Sequence, residues 1–464
     1  MRLLFSILML FFLGVIQAQD KPNIIFILAD DMGIGDVSPY GQKTIQTPNI
    51  QKLSDEGMTF SDFYAGSTVC APSRASMLTG QHTGHTKVRG NGEYPLDDKK
   101  QIFPEILKKA GYQNAIFGKW GMGLKNSPST PLSRGFDAFA GFLHHIDAHF
   151  QTPDSLDVIR QGRLERIALQ QGAYANDYFL NQTLDFIDKN ANKSPFFIYL
   201  SLTVPHAELS VADIHYEKQF DSNGTSIHPN EKAFKGGHYG AQEFPKAAYA
   251  AMVSSIDYYV GQILQKVADK NIDDNTIIIF SSDNGTHVEG GRTAQDVAYF
   301  QSSGEYRGVK RDLYEGGIRV PFIVRWKGHV APNSQSNFRG GFWDLYPTFS
   351  EVAGVSLSKN DPLDGISFKN ALLGKRQKKH KYLYWEFHEF GGKQALIKGN
   401  WKAIRLNVSQ DPKGKIELYN LKDDVSETRN LADKYPCKAR KMTKYLDGVR
   451  TRSEIFNFTF KKNK

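Results

Sequence analysis

Three short, uninterrupted apolar runs predict strands that are buried on both faces: residues 23–29, 195–200 and 276–281. Runs of this length, bounded by proline or polar residues, are typical of parallel strands covered by helices on both sides. Before the third run, a stripe at spacings of three and four predicts an amphipathic helix ending before Asn271, formed by Met252, Ile256, Val260, Ile263 and Val267. We therefore predict an α/β fold whose large mixed, mostly parallel sheet is sandwiched by helices.

The pattern changes after Gly374. Residues 381–390, 393–406 and 415–421 alternate like strands and are separated by turns rich in glycine and aspartate. A helical stretch follows near 440–450. These features predict a smaller C-terminal subdomain with an antiparallel sheet, so we divide the chain into a large domain at 19–370 and an α+β subdomain at 371–464.

Composition narrows the class of protein. The chain has 464 residues, of which 40% are hydrophobic and 23% charged, which excludes a disordered or collagen-like chain. The net charge is +9, with basic runs at 375–381 and 461–464, and these indicate either a polyanionic partner or a solvated positive face. Because there is no helix-turn-helix, zinc-finger or RNA-recognition motif, we expect no nucleic-acid partner.

The N-terminus predicts export. Arg2 precedes an apolar stretch at 3–16, which is followed by Gln17-Ala18-Gln19. This is typical of a secretory signal peptide at 1–18, because the apolar core is shorter than the ~20 residues that span a bilayer. No later segment is apolar for long enough to span a membrane, so we predict a periplasmic or secreted protein.

Acidic and amide side chains follow two of the predicted strands. Asp30-Asp31 comes after the first run, and Asp283-Asn284 after the third. The carboxyl ends of parallel strands meet at one edge of a sheet, where ligands bind. Oxygen ligands of this kind suit calcium or magnesium rather than zinc. The alternative is that Asp283-Asn284-Gly285 forms a turn and Asp30-Asp31 caps a helix.

A further candidate is the stretch from Cys70 to Gly80. Pro72 can open a helix, which places Cys70 just before the helix N-terminus. That position offers unpaired N–H donors and the positive end of the helix dipole to an anion. The residues alone leave two interpretations of Cys70 open, a thiolate nucleophile and a small buried residue.

Together, Cys70-x-Pro72-Ser73-Arg74 and Gly80 resemble the signature of the type I sulfatases of the alkaline phosphatase superfamily, in which this cysteine is oxidised to formylglycine. The C-terminal residues Gly399-Asn400-Trp401-Lys402 and Glu417-Leu418-Tyr419-Asn420-Leu421 resemble the smaller subdomain of that family. Further elements occur in the family's order: Asp30-Asp31, Gly118-Lys119-Trp120, Pro205-His206, Ser282-Asp283-Asn284-Gly285, and Lys310 followed by Glu315-Gly316-Gly317-Ile318-Arg319-Val320-Pro321.

The resemblance implies a nucleophile and a metal. The hydrated aldehyde made from Cys70 offers two hydroxyls, one to attack sulfur and one whose deprotonation expels sulfate. A calcium ion would contact Cys70 and lower the pKa of the nucleophile. Its other ligands would be Asp30, Asp31, Asp283 and Asn284.

The resemblance also assigns roles to four basic residues. Arg74 would stabilise the aldehyde hydrate, and Lys119 and Lys310 would pair with sulfate oxygens. His206 would protonate the leaving oxygen. Taken singly, each lysine is equally typical of a surface group, and a histidine after proline of a strand cap.

One position departs from the family's pattern. The usual Gly-Lys-Trp-His-x-Gly, whose histidine assists the release of sulfate, is here Gly118-Lys119-Trp120-Gly121-Met122-Gly123. Gly121 cannot act as a base. We predict that His149 of the histidine-rich stretch 144–149 replaces it, the alternative being that these histidines only line the pocket. His287 is a further pocket candidate.

These expectations predict an exported, calcium-dependent sulfatase that acts on a sulfated carbohydrate and needs a separate maturation enzyme for Cys70. The aromatic stretch 384–390 is a candidate lining for the sugar site, although aromatic residues in strands usually belong to the core. One alternative is a phosphodiester or phosphonate monoester hydrolase with the same nucleophile, which would favour manganese or iron and more histidine ligands. Another is an inactive sugar-binding homologue that lost turnover with the change at Gly121.

Overall fold

The computed structural model describes residues 21–358 and 361–458. The predicted signal peptide at 1–18 and the basic run at 461–464 lie outside the described residues. Within the described part, no helix is long and apolar enough to cross a membrane.

The strands are, in chain order, β1 Asn23–Ala29, β2 Met58–Phe60, β3 Phe63–Tyr64, β4 Gln113–Lys119, β5 Ala138–Phe142, β6 Ser155–Arg160, β7 Arg163–Ala168, β8 Phe196–Ser201, β9 Thr276–Ser282, β10 Phe322–Trp326, β11 Ser334–Ser336, β12 Gly340–Gly341, β13 Leu383–Phe387, β14 Lys393–Lys398, β15 Trp401–Leu406 and β16 Ile416–Asn420. The α-helices are α1 Pro48–Asp55, α2 Cys70–Thr79, α3 Phe103–Lys109, α4 Ala175–Asn190, α5 Asp213–Tyr216, α6 Pro245–Asp269, α7 Ala294–Phe300, α8 Glu315–Ile318, α9 Leu345–Val352, α10 Lys369–Leu372 and α11 Pro436–Gly448.

A ten-stranded sheet forms the larger layer, in the order β11-β2-β10-β9-β1-β8-β4-β5-β6-β7. The central strands β9, β1, β8, β4 and β5 are all parallel to their neighbours in this group. Two strands, β10 and β6, are antiparallel to the strands beside them. The predicted mixed, mostly parallel sheet is confirmed.

Alternation along β1 shows why the sheet is covered on both faces. Ile25 and Ile27 pack into one core with α4 and α6, while Ile24, Phe26 and Leu28 pack into another with α2, α3 and α9. Successive side chains of a strand point to opposite faces, so an uninterrupted apolar run requires two apolar neighbours. The apolar stripe at 252–267 is confirmed as the buried face of α6.

The C-terminal subdomain is a four-stranded antiparallel sheet in the order β13-β14-β15-β16, with α11 packed against it. The prediction of a single strand at 393–406 is wrong. The chain turns at Gly399, whose φ of 58° lies in the left-handed region, and forms the separate strands β14 and β15. Glycine adopts this conformation without the steric cost that a Cβ brings.

A buried charge cluster joins the two sheets. The Lys402 ammonium on β15 lies 2.8 Å from a carboxylate oxygen of Glu315 on α8 and 2.8 Å from one of Glu427, and all three side chains are fully buried. The indole N–H of Trp385 on β13 also donates to the carbonyl of Ala65, at 2.9 Å. The C-terminal sheet is therefore packed onto the large layer, while the domain boundary near 370 stays a prediction.

We expect Lys402→Ala to lower the free energy of unfolding by about 3–5 kcal/mol, because it leaves two buried carboxylates without their shared cation. Urea unfolding followed by fluorescence measures the change. Lys415→Ala is the matched control, since Lys415 is exposed next to the same sheet and surface substitutions stay within roughly 0.5 kcal/mol. Equal unfolding midpoints for the two variants would contradict the importance of the cluster.

Candidate active site

The ends of four parallel strands bring the predicted site residues together. Asp30-Asp31 follows β1 and Asp283-Asn284 follows β9. Lys119 is the last residue of β4, and His206 lies in the loop after β8. These strands are neighbours in the sheet and run in the same direction, so their carboxyl ends share one edge.

Each of three buried carboxylates holds one buried cation. Asp30 Oδ2 accepts from Lys119 Nζ at 2.6 Å, and Asp31 Oδ2 accepts from Lys310 Nζ at 2.6 Å. The third pair joins Asp283 to Arg74. Although burial opposes it, the neighbouring carboxylates raise the pKa of both lysines above its usual range, so the ammonium groups keep their charge.

Arg74 contacts both the carboxylates of this cluster and the strand ends that carry them. Its Nε and Nη2 lie 2.9 and 2.8 Å from Asp283 Oδ2, and its Nη1 contacts the hydroxyl of Ser201 and the carbonyl of Lys119. A second, longer contact of 3.7 Å joins Nη2 to Asp30 Oδ2. The guanidinium plane therefore fixes the ends of β4, β8 and β9 relative to one another.

The oxygens left over from these pairs fit a hard cation. Asp30 Oδ1 and Asn284 Oδ1 are buried and have no hydrogen-bond partner among the described residues. One oxygen each of Asp30 and Asp283 lies with Cys70 Sγ in a group whose atoms are all within 4.8 Å of one another. Burial and the adjacent Asp30 raise the pKa of Asp283, a repulsion that a bound cation would relieve. Carboxylate and amide oxygens of this kind fit calcium.

Cys70 is the first residue of α2, so the helix begins two residues earlier than Pro72 predicts. A proline in the first turn is tolerated because the first N–H groups of a helix have no partner within it. Cys70 is 1% exposed and Cys437 is exposed, and neither is in a disulfide. Burial raises the pKa of the Cys70 thiol in spite of nearby Lys119, which disfavours a thiolate nucleophile.

His206 and Lys310 form a close pair opposite Cys70. Lys310 Nζ lies 2.9 Å from His206 Nε2, and Nδ1 of the same ring contacts the carbonyl of Ala207. Burial and Lys310 lower the pKa of His206 to about 3. The imidazole is therefore neutral here, and Lys310 carries the proton at this corner of the site.

His145 lies beside Gly121, and His149 lies beside His206. The ring of His149 stacks on that of His206, with centroids 4.4 Å apart, and its buried Nδ1 has no hydrogen-bond partner among the described residues. A Cβ added to Gly121 would meet only the Cβ of His145, at 3.6 Å. The space beside Gly121 is thus bordered by His145, whereas His149 touches the candidate acid.

Two other expectations are corrected. In the stretch 384–390, Trp385 and Phe387 are buried in the core between the sheets, Tyr384 is buried on the opposite face, which packs against α11, and Phe390 is the exposed aromatic residue. His287 is buried as well, with Nε2 2.9 Å from the carbonyl of Pro205 and Nδ1 accepting from the N–H of Glu289. His287 therefore holds two loops together instead of facing a pocket.

Two site residues were missed by sequence reasoning. Glu289 lies 2.9 Å from Lys310 Nζ and also pairs with Arg311. Asn91 Oδ1 accepts from the N–H of Ala71 at 3.1 Å and lies 3.7 Å from Cys70 Sγ. The only signal for Asn91 is its place in Gly90-Asn91-Gly92, which reads as an ordinary turn, and Glu289 has no local signal.

Comparisons with known proteins agree with this geometry. The profile of the family described as Sulfatase matches residues 22–355, and that described as N-sulphoglucosamine sulphohydrolase, C-terminal, matches residues 304–451. The N-acetylgalactosamine-6-sulfatase of Homo sapiens is 32% identical over 80% of this chain and 70% of that protein. The N-acetylgalactosamine-6-O-sulfatase of Bacteroides thetaiotaomicron is 27% identical over 94% of each chain.

Among solved structures, Ps i-CgsB in complex with k-i-k-neocarrahexaose superposes with a TM-score of 0.77 and 28% sequence identity. The match covers 92% of this chain and 93% of that one. The likeness therefore spans both sheets and not the large layer alone.

Gly118, near the end of β4, and Gly121, in the loop after it, are expected to differ in their tolerance of a side chain. Gly121→Ala should cost about 1–2 kcal/mol, the price of a Cβ at its φ of +72°, because the space around it is open. Gly118→Ala should cost far more, since its Cβ would lie 1.8 Å from the carbonyl oxygen of Ser201. Urea midpoints of the two variants measure this, and equal losses would contradict an open space at Gly121.

Proposed function

The chain belongs to the sulfatase family of sulfuric ester hydrolases, and from that premise we propose that it releases sulfate from a sulfated carbohydrate with a nucleophile made from Cys70. The observation that carries the proposal is the position of Cys70 Sγ. It lies at the start of α2 and within 4.8 Å of oxygens of Asp30 and Asp283. Lys119 and Lys310 are bound to the carboxylates around it.

The residues suit two groups that the family implies, a calcium ion and formylglycine at position 70. Asp30, Asp31, Asp283 and Asn284 would hold the calcium, since two of their buried oxygens have no hydrogen-bond partner among the described residues. When present, formylglycine supplies a hydrated aldehyde whose hydroxyl attacks sulfur, while calcium neutralises sulfate oxygens. Formation of the aldehyde needs a maturation enzyme.

The basic residues then bind and orient the sulfate group. Lys119 and Lys310 are buried ammonium groups on either side of the carboxylates, which makes them preorganised partners for sulfate oxygens. Arg74 contacts the carboxylates and strand ends, as described above, so we assign it a positioning role through Asp283. The raised pKa of the Cys70 thiol also favours a modified residue over a thiolate.

We assign the protonation of the leaving oxygen to the His206–Lys310 pair. The two nitrogens are 2.9 Å apart, which places a proton of Lys310 directly beside His206 Nε2. His149 stacks on this ring and has a free buried nitrogen, which supports its role in place of the missing histidine at Gly121. Glu289 keeps Lys310 in place from the outer side.

The carbohydrate class is supported by the relatives. Two of them are named for N-acetylgalactosamine-6-sulfate chemistry, and one structural neighbour holds a bound neocarrahexaose. The predicted signal peptide and a positive net charge fit an exported enzyme that meets polyanionic sugars. We therefore propose a periplasmic or secreted enzyme.

The decisive experiment is release of inorganic sulfate from sulfated mono- and oligosaccharides and an aryl sulfate. Cys70→Ala should lose at least roughly 10⁴-fold in kcat/KM, because the nucleophile is gone. Chelation should abolish release, and added calcium should restore it. Cys437→Ala, which removes the exposed cysteine, should match the wild type.

Two outcomes would contradict the proposal. Release that survives in Cys70→Ala would exclude Cys70 as the source of the nucleophile. Phosphodiester hydrolysis without sulfate release, by a protein whose Cys70 peptide has the mass of the aldehyde form, would favour the phosphodiester or phosphonate hydrolase.

Leaving-group dependence tests His206. We expect His206→Ala to lower kcat/KM by about 10²–10⁴-fold for a sugar sulfate and far less for a nitrophenyl sulfate, whose leaving oxygen needs no proton. His149→Ala should slow both substrates equally if it assists the later release of sulfate. An equal loss for both substrates in His206→Ala would remove it from the acid role.

A further inference from the structure

An aromatic side chain stands exposed near the site just described. Phe390 is 69% exposed, the highest value among the large hydrophobic side chains of the described residues. It lies in the turn between β13 and β14, and its ring contacts that of Phe387, with centroids 6.5 Å apart. A single exposed aromatic side chain is common on protein surfaces, so Phe390 is informative only together with the polar groups beside it.

Arg311 links this ring to the sulfate-binding lysine. Its guanidinium carbon lies 5.9 Å from the centroid of Phe390, and its Nη1 pairs with Glu289 Oε1. The other oxygen of Glu289 lies 2.9 Å from Lys310 Nζ. Three direct contacts, through Arg311 and Glu289, therefore connect the exposed ring to the ammonium group that we assign to sulfate.

The backbone fixes Arg311 in this position. The N–H of Arg311 donates to the carbonyl of Thr68 at 3.0 Å, close to the nucleophile, and its own carbonyl accepts from Lys393 Nζ at 2.8 Å. Arg311 has a positive φ angle of 76°, which is uncommon for a non-glycine residue, and these two bonds hold it there. The fold thus fixes Arg311 beside the ring of Phe390.

This pairing suits a sugar ring. An aromatic face packs against the C–H face of a pyranose, and a guanidinium presents several N–H donors to hydroxyl or carboxylate oxygens. The Arg311 side chain is 31% exposed, so it keeps donors for a ligand beside its bond to Glu289. Binding sites commonly combine aromatic surface with a few placed polar groups.

We propose that Phe390 and Arg311 form a second sugar-binding subsite, which holds the ring next to the sulfated one. The preferred substrate is then an oligosaccharide of at least two sugars, which binds more tightly than the free sulfated monosaccharide. This inference rests on the proposed function, because it extends the same site outward from Lys310.

Kinetics on matched substrates test the subsite. We compare a sulfated disaccharide or trisaccharide with the monosaccharide that carries the same sulfate. Phe390→Ala should raise the KM for the oligosaccharide about tenfold relative to the KM for the monosaccharide, while kcat changes little. Phe390→Tyr should restore the ratio, and Arg311→Gln should shift it in the same direction as Phe390→Ala.

The control is Ile214→Ala, since Ile214 is 65% exposed on α5 and lies outside the subsite. It should leave the KM ratio at the wild-type value. An unchanged ratio of the two KM values in Phe390→Ala would overturn the proposal. If the oligomeric state changed while this ratio did not, the Phe390 ring would belong to a contact between protein chains instead.

A binding measurement distinguishes failure of the proposed subsite from failure of the proposed reaction. The Cys70→Ala protein, titrated calorimetrically with the sulfated oligosaccharide, should bind about tenfold more weakly when Phe390→Ala is added. If the wild type releases no sulfate but this difference is found, the proposed reaction fails and the subsite stands. If sulfate is released and the affinities are equal, the subsite fails and the proposed reaction stands.

Discussion

Compensation of buried charge at one edge of a parallel sheet is the constraint on which the site depends. Asp30, Asp31 and Asp283 are fully buried, and a carboxylate in that position is tolerated only when a cation or several donors contact it. Lys119, Lys310 and Arg74 meet this requirement one by one. Because each of these cations comes from a different segment of the chain, the pairs also fix where those segments lie.

The same pairing of carboxylates with cations decides which buried oxygens remain available to bind a metal ion. One oxygen of each carboxylate contacts a cation. Asp30 Oδ1 and the amide oxygen of Asn284 are buried and have no hydrogen-bond partner among the described residues. A site of this kind is prepared before any ligand enters, which is the condition for electrostatic stabilisation of a transferring anion. The surrounding apolar cores keep water out and strengthen every one of these contacts.

The sequence predicts much of this arrangement, because buried apolar runs and the polar residues that end them are local signals. The runs at 23–29 and 276–281 end in acidic pairs, and their parallel pairing follows from burial on both faces. Local signals fail where the partner is distant. Glu289 acquires its role only through Lys310. Phe390 cannot be distinguished by sequence from the buried aromatic residues before it, because it is exposed by its place in the turn after β13, where its own φ is positive. The turn at Gly399 did have a local signal, since Lys398-Gly399-Asn400 interrupts the apolar pattern and Gly-Asn between two strand-like runs is typical of a hairpin.

The cluster of Lys402, Glu315 and Glu427 constrains how this protein can evolve. A chimera that receives its C-terminal sheet from a relative imports Lys402 and Glu427 but keeps its own Glu315, so the graft succeeds only if all three positions match. Substitution of one of the three residues leaves a buried charge without its partner, which destabilises the fold. Joint replacement of all three by apolar residues of similar volume, by contrast, is often neutral or stabilising. The loop that carries Phe390 lies outside this cluster. Recombination can therefore exchange that loop while the charge cluster between the sheets stays unchanged.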